Sequence, residues 1–139
     1  MKFKDFLSSI GFGSMKVETV VERPHLEEGE TLNGTIYFEG GDSDQEIDYI
    51  ELHVIKLIDD YREDSDFDII ETIVAKQSME FAGSVKSKDT VMQQFEIVPD
   101  DRWLLETDKA RLVLRTIVHI REGVDVRDED EITYGKFEG

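Results

Sequence analysis

Carboxylates are the side chains through which this chain would do chemistry. Residues 59–68 hold six of them in ten positions, and residues 122–131 hold another six. Aspartates at alternating positions offer oxygen ligands to a hard cation such as calcium. Asp64, Asp66 and Asp68 have the spacing that opens an EF-hand loop. The sixth position, however, is Ile69 instead of glycine and the twelfth is Ala75 instead of glutamate, so that loop fails. A two-loop site is the alternative: Asp64, Asp66 and Asp68 from one loop and Asp128 and Asp130 from another would hold calcium if both met at one end of a β-sandwich. The plainer reading takes both runs as solvated loops that keep the chain soluble and discourage edge-to-edge strand pairing. A third reading has them attract a basic partner by electrostatic steering.

The remaining reactive residues exclude most enzyme classes. None of the eight serines lies in the Gly-x-Ser-x-Gly setting of a nucleophile elbow. The phosphate-binding loop Gly-x-x-x-x-Gly-Lys-Ser/Thr does not occur, and Gly11-x-Gly13 lacks the third glycine of a dinucleotide fingerprint. His25, His53 and His119 stand far apart, and the last two fall on the more polar parity of strand-like segments, where they read as sheet-surface residues. With no cysteine there is no disulfide, thiolate zinc site or cysteine nucleophile, in agreement with a reducing cytosol. Acidic residues are so numerous that naming one acid–base pair would be arbitrary. The expectation is a protein that is not an enzyme and needs no cofactor, calcium being the one candidate ion. Trp103, the single tryptophan, follows the Pro99 turn. It reads as a cap on a sandwich edge or, if exposed, as an interface anchor for a partner.

Charge narrows the partners. The chain has 139 residues, 16 Lys and Arg against 33 Asp and Glu, and a formal net charge of −17. Phosphate binding needs clustered Lys and Arg, so nucleic acid is a poor partner, and adsorption to an anionic membrane is opposed as well. Apolar runs reach only three residues, as in Ile73-Val74-Ala75, far below the roughly 18 that a spanning helix requires. No secretory signal is recognisable in Met1-Lys2-Phe3-Lys4-Asp5-Phe6-Leu7. The expected location is the cytoplasm, with peripheral membrane contact as a variant, and the expected partners are other proteins, including a second copy of this chain.

These residues have to be positioned by a particular set of elements. Phe3, Phe6, Leu7 and Ile10 fall at i, i+3, i+4 and i+7, the spacing of one helix face, and Gly11-Phe12-Gly13-Ser14 ends that helix. Residues 1–14 therefore read as a short amphipathic helix and glycine turn. Its apolar face either docks on its own domain or inserts into a partner, a neighbouring copy or a lipid interface, since so short a helix is marginal alone. From Met15 onward the period is two. Val17, Thr19 and Val21 alternate with Lys16, Glu18 and Glu22, with Val20 on the polar side, and Leu32, Gly34, Ile36 and Phe38 alternate with polar residues. Ile50, Leu52 and Val54 lead into a stretch, residues 55–58, that reads as buried on both faces. Ile69, Ile73, Ala75, Met79 and Phe81 share one parity, as do Val91, Phe95 and Ile97, and then Leu112, Leu114, Thr116, Val118 and Ile120. Pro24 and Pro99 sit at strand ends, where a missing N–H harms no ladder. Six or seven strands with polar turns specify an all-β antiparallel, immunoglobulin-like sandwich occupying residues 15–139 as one domain.

Several segments together resemble a known family. Ser8-Ser9-Ile10-Gly11-Phe12-Gly13-Ser14-Met15-Lys16-Val17-Glu18-Thr19-Val20 is similar to the opening of bacterial sporulation-control proteins of the M type, which have an arrestin-like fold. The resemblance continues through Glu28-Gly29-Glu30-Thr31-Leu32-Asn33-Gly34-Thr35-Ile36-Tyr37-Phe38-Glu39-Gly40-Gly41, where the family usually has proline at the place of Glu28. It resumes at Gln45-Glu46-Ile47-Asp48-Tyr49-Ile50 and at Asp125-Val126-Arg127-Asp128-Glu129-Asp130-Glu131-Ile132. Members ordinarily carry a second sandwich, so this chain resembles the N-terminal lobe. The resemblance implies a non-enzymatic scaffold or adaptor in the regulation of sporulation and supplies no catalytic residues. The resemblance maps no contact residues; the apolar spacing itself points docking to Phe3, Phe6, Leu7 and Ile10, with Trp103 as an anchor if exposed.

Overall fold

Alternation of apolar and polar residues produces strands, and the glycine- and aspartate-rich segments between them turn the chain. The computed structural model describes residues 14–61, 67–81 and 83–135. The expected helix bearing Phe3, Phe6, Leu7 and Ile10 lies outside the described residues, as do Asp64 and Asp66. Nine strands are described: β1 (Lys16–Val21), β2 (His25–Leu26), β3 (Leu32–Glu39), β4 (Gln45–Tyr61), β5 (Phe67–Met79), β6 (Ser84–Val85), β7 (Thr90–Ile97), β8 (Ala110–Ile120) and β9 (Val126–Tyr134). They form a three-stranded sheet in the order β1-β3-β7 and a larger sheet in the order β2-β9-β8-β4-β5, with β6 paired to the start of β4. Every pairing is antiparallel except the short β2–β9 contact. A 3-10 turn at Asp101–Trp103 is capped by Asp100, whose side chain accepts from the Arg102 N–H.

The inner faces of the two sheets make the core. Val17, Leu32, Ile36, Phe38, Ile50, Leu52, Val54, Leu112, Leu114, Val118 and Ile132 are all buried there. Their parities are those of the sequence pattern, because a two-residue period assigns alternate side chains to opposite faces. Phe95 lies over Gly34, whose added Cβ would stand 2.7 Å or less from the ring. At that position a side chain and the aromatic compete for one space.

Three expectations need correction. The parity of β5 breaks: the ladder runs Val54↔Ala75 and then Ile55↔Ile73, leaving Val74 as an extra residue. This β-bulge turns Val74 into the core, while Ile69 and Ile73 stand on the outer face and are exposed. The two acidic runs are also not loops throughout, since residues 59–61 belong to β4, 67–68 to β5 and 126–131 to β9. Trp103, finally, is fully buried against Tyr134, with ring centroids 5.8 Å apart. It is a core residue with no surface to offer a partner, because the 3-10 turn folds it under the sheet edge.

Candidate interaction surface

Polar chemistry concentrates at two places: a seam where β1 meets β9, and the outer face of the larger sheet. At the seam, the even-numbered residues of β9 point inward, so Asp128 and Asp130 enter the sandwich margin in place of apolar side chains. The Thr19 N–H donates to Asp128 Oδ2 at 2.7 Å, and the hydroxyls of Thr19 and Thr116 meet at 2.7 Å in full burial. Asp128 and Asp130 hydrogen-bond to each other. Burial pushes the Asp128 carboxyl above the usual carboxylate range, against the lowering effect of the Thr19 N–H. Glu18 is raised as well, by partial burial and by the nearby Asp128 charge.

This placement separates the proposed calcium ligands. Asp128 pairs with Thr116, which pairs with Leu52, whereas Asp68 pairs with Asp60. Leu52 and Asp60 are eight residues apart on β4, which is about 26 Å at the rise of a strand. Asp68 and Asp128 therefore do not share an ion. Among the described residues, no group of three or more His, Asp or Glu side chains is arranged to hold a metal ion.

On the outer face, β4, β5, β8 and β9 contribute two polar clusters over an apolar floor, one around Arg115 and one around Glu51. Ile55, Val113 and Ile117 are buried there although they face away from the core. Long neighbouring side chains roof them. Arg115, on β8, pairs with Glu129 on β9 and, across β4 at 3.1 Å, with Glu71 on β5. Glu51 accepts from His53 at 2.7 Å and from His119 at 3.0 Å, and Lys76 stands 3.6 Å away. The His53 hydrogen bond, with those from His119, holds the Glu51 carboxyl below its ordinary range despite the cost of burial. The second nitrogen of His119 lies 3.2 Å from Asp125, and its ring stacks on Tyr49 at 4.1 Å. The sequence pattern places both histidines on the sheet surface, and that is their face. His53 is nonetheless buried, because Glu51 and the flanking side chains close over it. The i, i+2 spacing of Glu51 and His53 was the available signal, but only the β4–β8 register brings His119 to the same carboxylate.

The apolar exception is β5. Ile69, Ile70 and Ile73 are each about half exposed, three of the eight large apolar side chains found exposed among the described residues. They lie on the free edge of the larger sheet. No helix among the described residues is long and apolar enough to cross a membrane.

Comparison with known proteins adds the family. The chain is 29% identical over 133 residues to the sporulation-control protein spo0M of Bacillus subtilis, a match covering 94% of this chain and 50% of that protein. The crystal structure of Spo0M, sporulation control protein, from Bacillus subtilis superposes with a TM-score of 0.79 at 21% identity. That match covers 91% of this chain and 51% of the other, and it shows that the arrestin-like sandwich is shared. This chain thus spans about half the length of the relatives it matches. The family model described as SpoOM protein matches residues 3–135, nearly the entire sequence, and the chain belongs to that family.

Proposed function

We propose that this chain is a protein-interaction module that acts in the control of sporulation and performs no chemistry of its own. The observation that supports this reading is the family match over residues 3–135, together with the name of the Bacillus subtilis relative. The polar groups agree with it. Glu51 holds both His53 and His119, and Asp128 accepts from the Thr19 N–H, so both sets are engaged in contacts within the sandwich. Docking through surfaces and strand edges is what such a sandwich offers, with Phe3, Phe6, Leu7 and Ile10 as the apolar contribution of the N-terminal segment. A cytoplasmic location follows from this role.

The test is genetic. Removing the coding sequence from the native organism changes the frequency or timing of spore formation, and residues 1–139 supplied in trans restore it at least in part. Unaltered sporulation in the deletion strain overturns the proposal. A version lacking residues 1–13 that restores sporulation fully removes the N-terminal segment from the mechanism.

A further inference from the structure

Edge strands invite pairing because half of their backbone N–H and C=O groups face outward with no ladder to join. Strand β5 is thirteen residues long and ends the order β2-β9-β8-β4-β5. No backbone hydrogen bond from a described loop reaches it. Natural edges are commonly protected by charge. This one carries Glu71, Lys76 and the bulge at Val74, and beside them it presents Ile69 and Ile73 on the outer face and Ile70 on the inner, at 47%, 51% and 47% exposure. We infer that β5 is the docking edge for β5 of a second copy, paired antiparallel about a two-fold axis at Ile73.

The register follows from the faces. Two-fold pairing at Ile73 sets Glu71 opposite Lys76 of the second copy, Ile70 opposite Gln77 and Ile69 opposite Ser78. Antiparallel neighbours must present the same face. Glu71 and Lys76 both do so: the first contacts Arg115 and the second Glu51, all on the outer face. Ile69 and Ser78 lie opposite Asp59 and Glu51 on that face, while Ile70 and Gln77 lie opposite Ile58 and Leu52 on the inner one. Taken alone, β5 would fail this condition, since Ile73 and Ile70 are separated from Lys76 and Gln77 by an odd count of alternations. The bulge at Val74 corrects the count. In each copy Val74 and Ala75 together oppose Thr72 of the other, so faces stay matched on both sides of the axis.

Charge selects the same arrangement. Each of the two Glu71–Lys76 contacts joins opposite signs directly across the seam. Asp59 and Asp60 at the end of β4 and Asp68 at the start of β5 are carried to opposite ends of the seam in an antiparallel pair. A parallel pair would bring both sets together. A second copy of this chain is thus matched in face, charge and apolar content. Self-pairing goes beyond the docking function proposed above and stands or falls separately from it.

Sedimentation velocity over a concentration series of the whole chain tests the pairing. Wild type is expected to shift with concentration from the 16.0 kDa monomer toward a dimer. Ile73→Lys places two ammonium groups at the axis and abolishes the shift, with circular dichroism confirming that it stays folded. Glu71→Lys and Lys76→Glu each replace two attractions by two repulsions and weaken association about tenfold. An equimolar mixture of these two variants regains wild-type association. In a mixed pair the introduced lysine meets the introduced glutamate, and the native Lys76 of one copy meets the native Glu71 of the other. Damage to the fold cannot produce that rescue. A wild type that remains monomeric at every concentration overturns the inference. So does a dimer that tolerates Ile73→Lys, or single-charge variants that fail to recover when mixed.

Discussion

Replacing Gly40 by alanine offers the sharpest check on the packing at the end of β3. A Cβ at this position would stand 2.0 Å from the Lys86 carbonyl oxygen and 3.0 Å from both the Lys86 carbonyl carbon and the Lys88 nitrogen. All three are backbone atoms, so no side chain can rotate away, and ordinary contact requires a displacement of over an ångström. The segments that would have to separate are tied together. The Gly40 N–H donates to the Asp89 carbonyl at 2.8 Å, the Lys88 N–H donates to Gly41 at 3.2 Å, and the Ser87 hydroxyl donates to Gly41 at 3.0 Å. Losing two or three such bonds, each with a net value of about 1 kcal/mol, gives a loss of about 2–4 kcal/mol. For a chain of this length that corresponds to a fall in Tm of about 8–15 °C. Equilibrium urea unfolding measures it directly, with an unchanged m-value as evidence that the unfolded reference is the same. Gly29→Ala is the control: φ is +93°, yet nothing lies within 4 Å of the added carbon. Only backbone strain applies there, costing about 1 kcal/mol. If Gly40→Ala comes within about 0.5 kcal/mol of wild type, the close approach of the two backbones is wrong.

Three further outcomes follow from buried groups. Asp128→Asn is expected to stabilise the protein by about 1 kcal/mol at pH 7, since a carboxyl raised by burial favours folding below its unfolded value near pH 4 and loses that contribution as pH rises through the folded value. Urea titrations at several pH values read this as a shallower decline in stability from acid to neutral; a destabilised variant at pH 7 contradicts it. Glu51→Gln acts with the opposite sign: a carboxylate held low by His53 and His119 contributes stability above its unfolded value near pH 4.5, lost as pH falls through the folded value. The variant should cost about 1 kcal/mol near pH 6 and show a smaller difference in acid; equal loss at all pH values rules out this origin. Trp103→Ala should cost about 3–5 kcal/mol through the cavity it leaves. Trp103→Phe should cost less, because the buried indole nitrogen has no hydrogen-bond partner to lose. Blue-shifted native emission that moves to the red on unfolding checks the burial independently.

Local pattern determined much of this molecule. Alternation over Leu32–Glu39 and Ala110–Ile120 assigned inner and outer faces correctly, because the period of a strand is set by its own covalent geometry. Spaced motifs along the chain likewise sufficed to indicate the family. Tertiary structure decided what depends on neighbours from distant positions. The bulge at Val74 is a relation between β4 and β5, invisible in either strand, and it turned Ile73 outward. Trp103 is buried only because the turn before it packs beside Tyr134. Asp128 reads as one more surface carboxylate until Thr19, 109 residues earlier, donates its N–H and the seam desolvates it. His119 and Glu51 are 68 residues apart and meet through register alone. A sequence fixes the face each residue takes along its own strand, whereas solvation and partnership arise from which strands lie beside it.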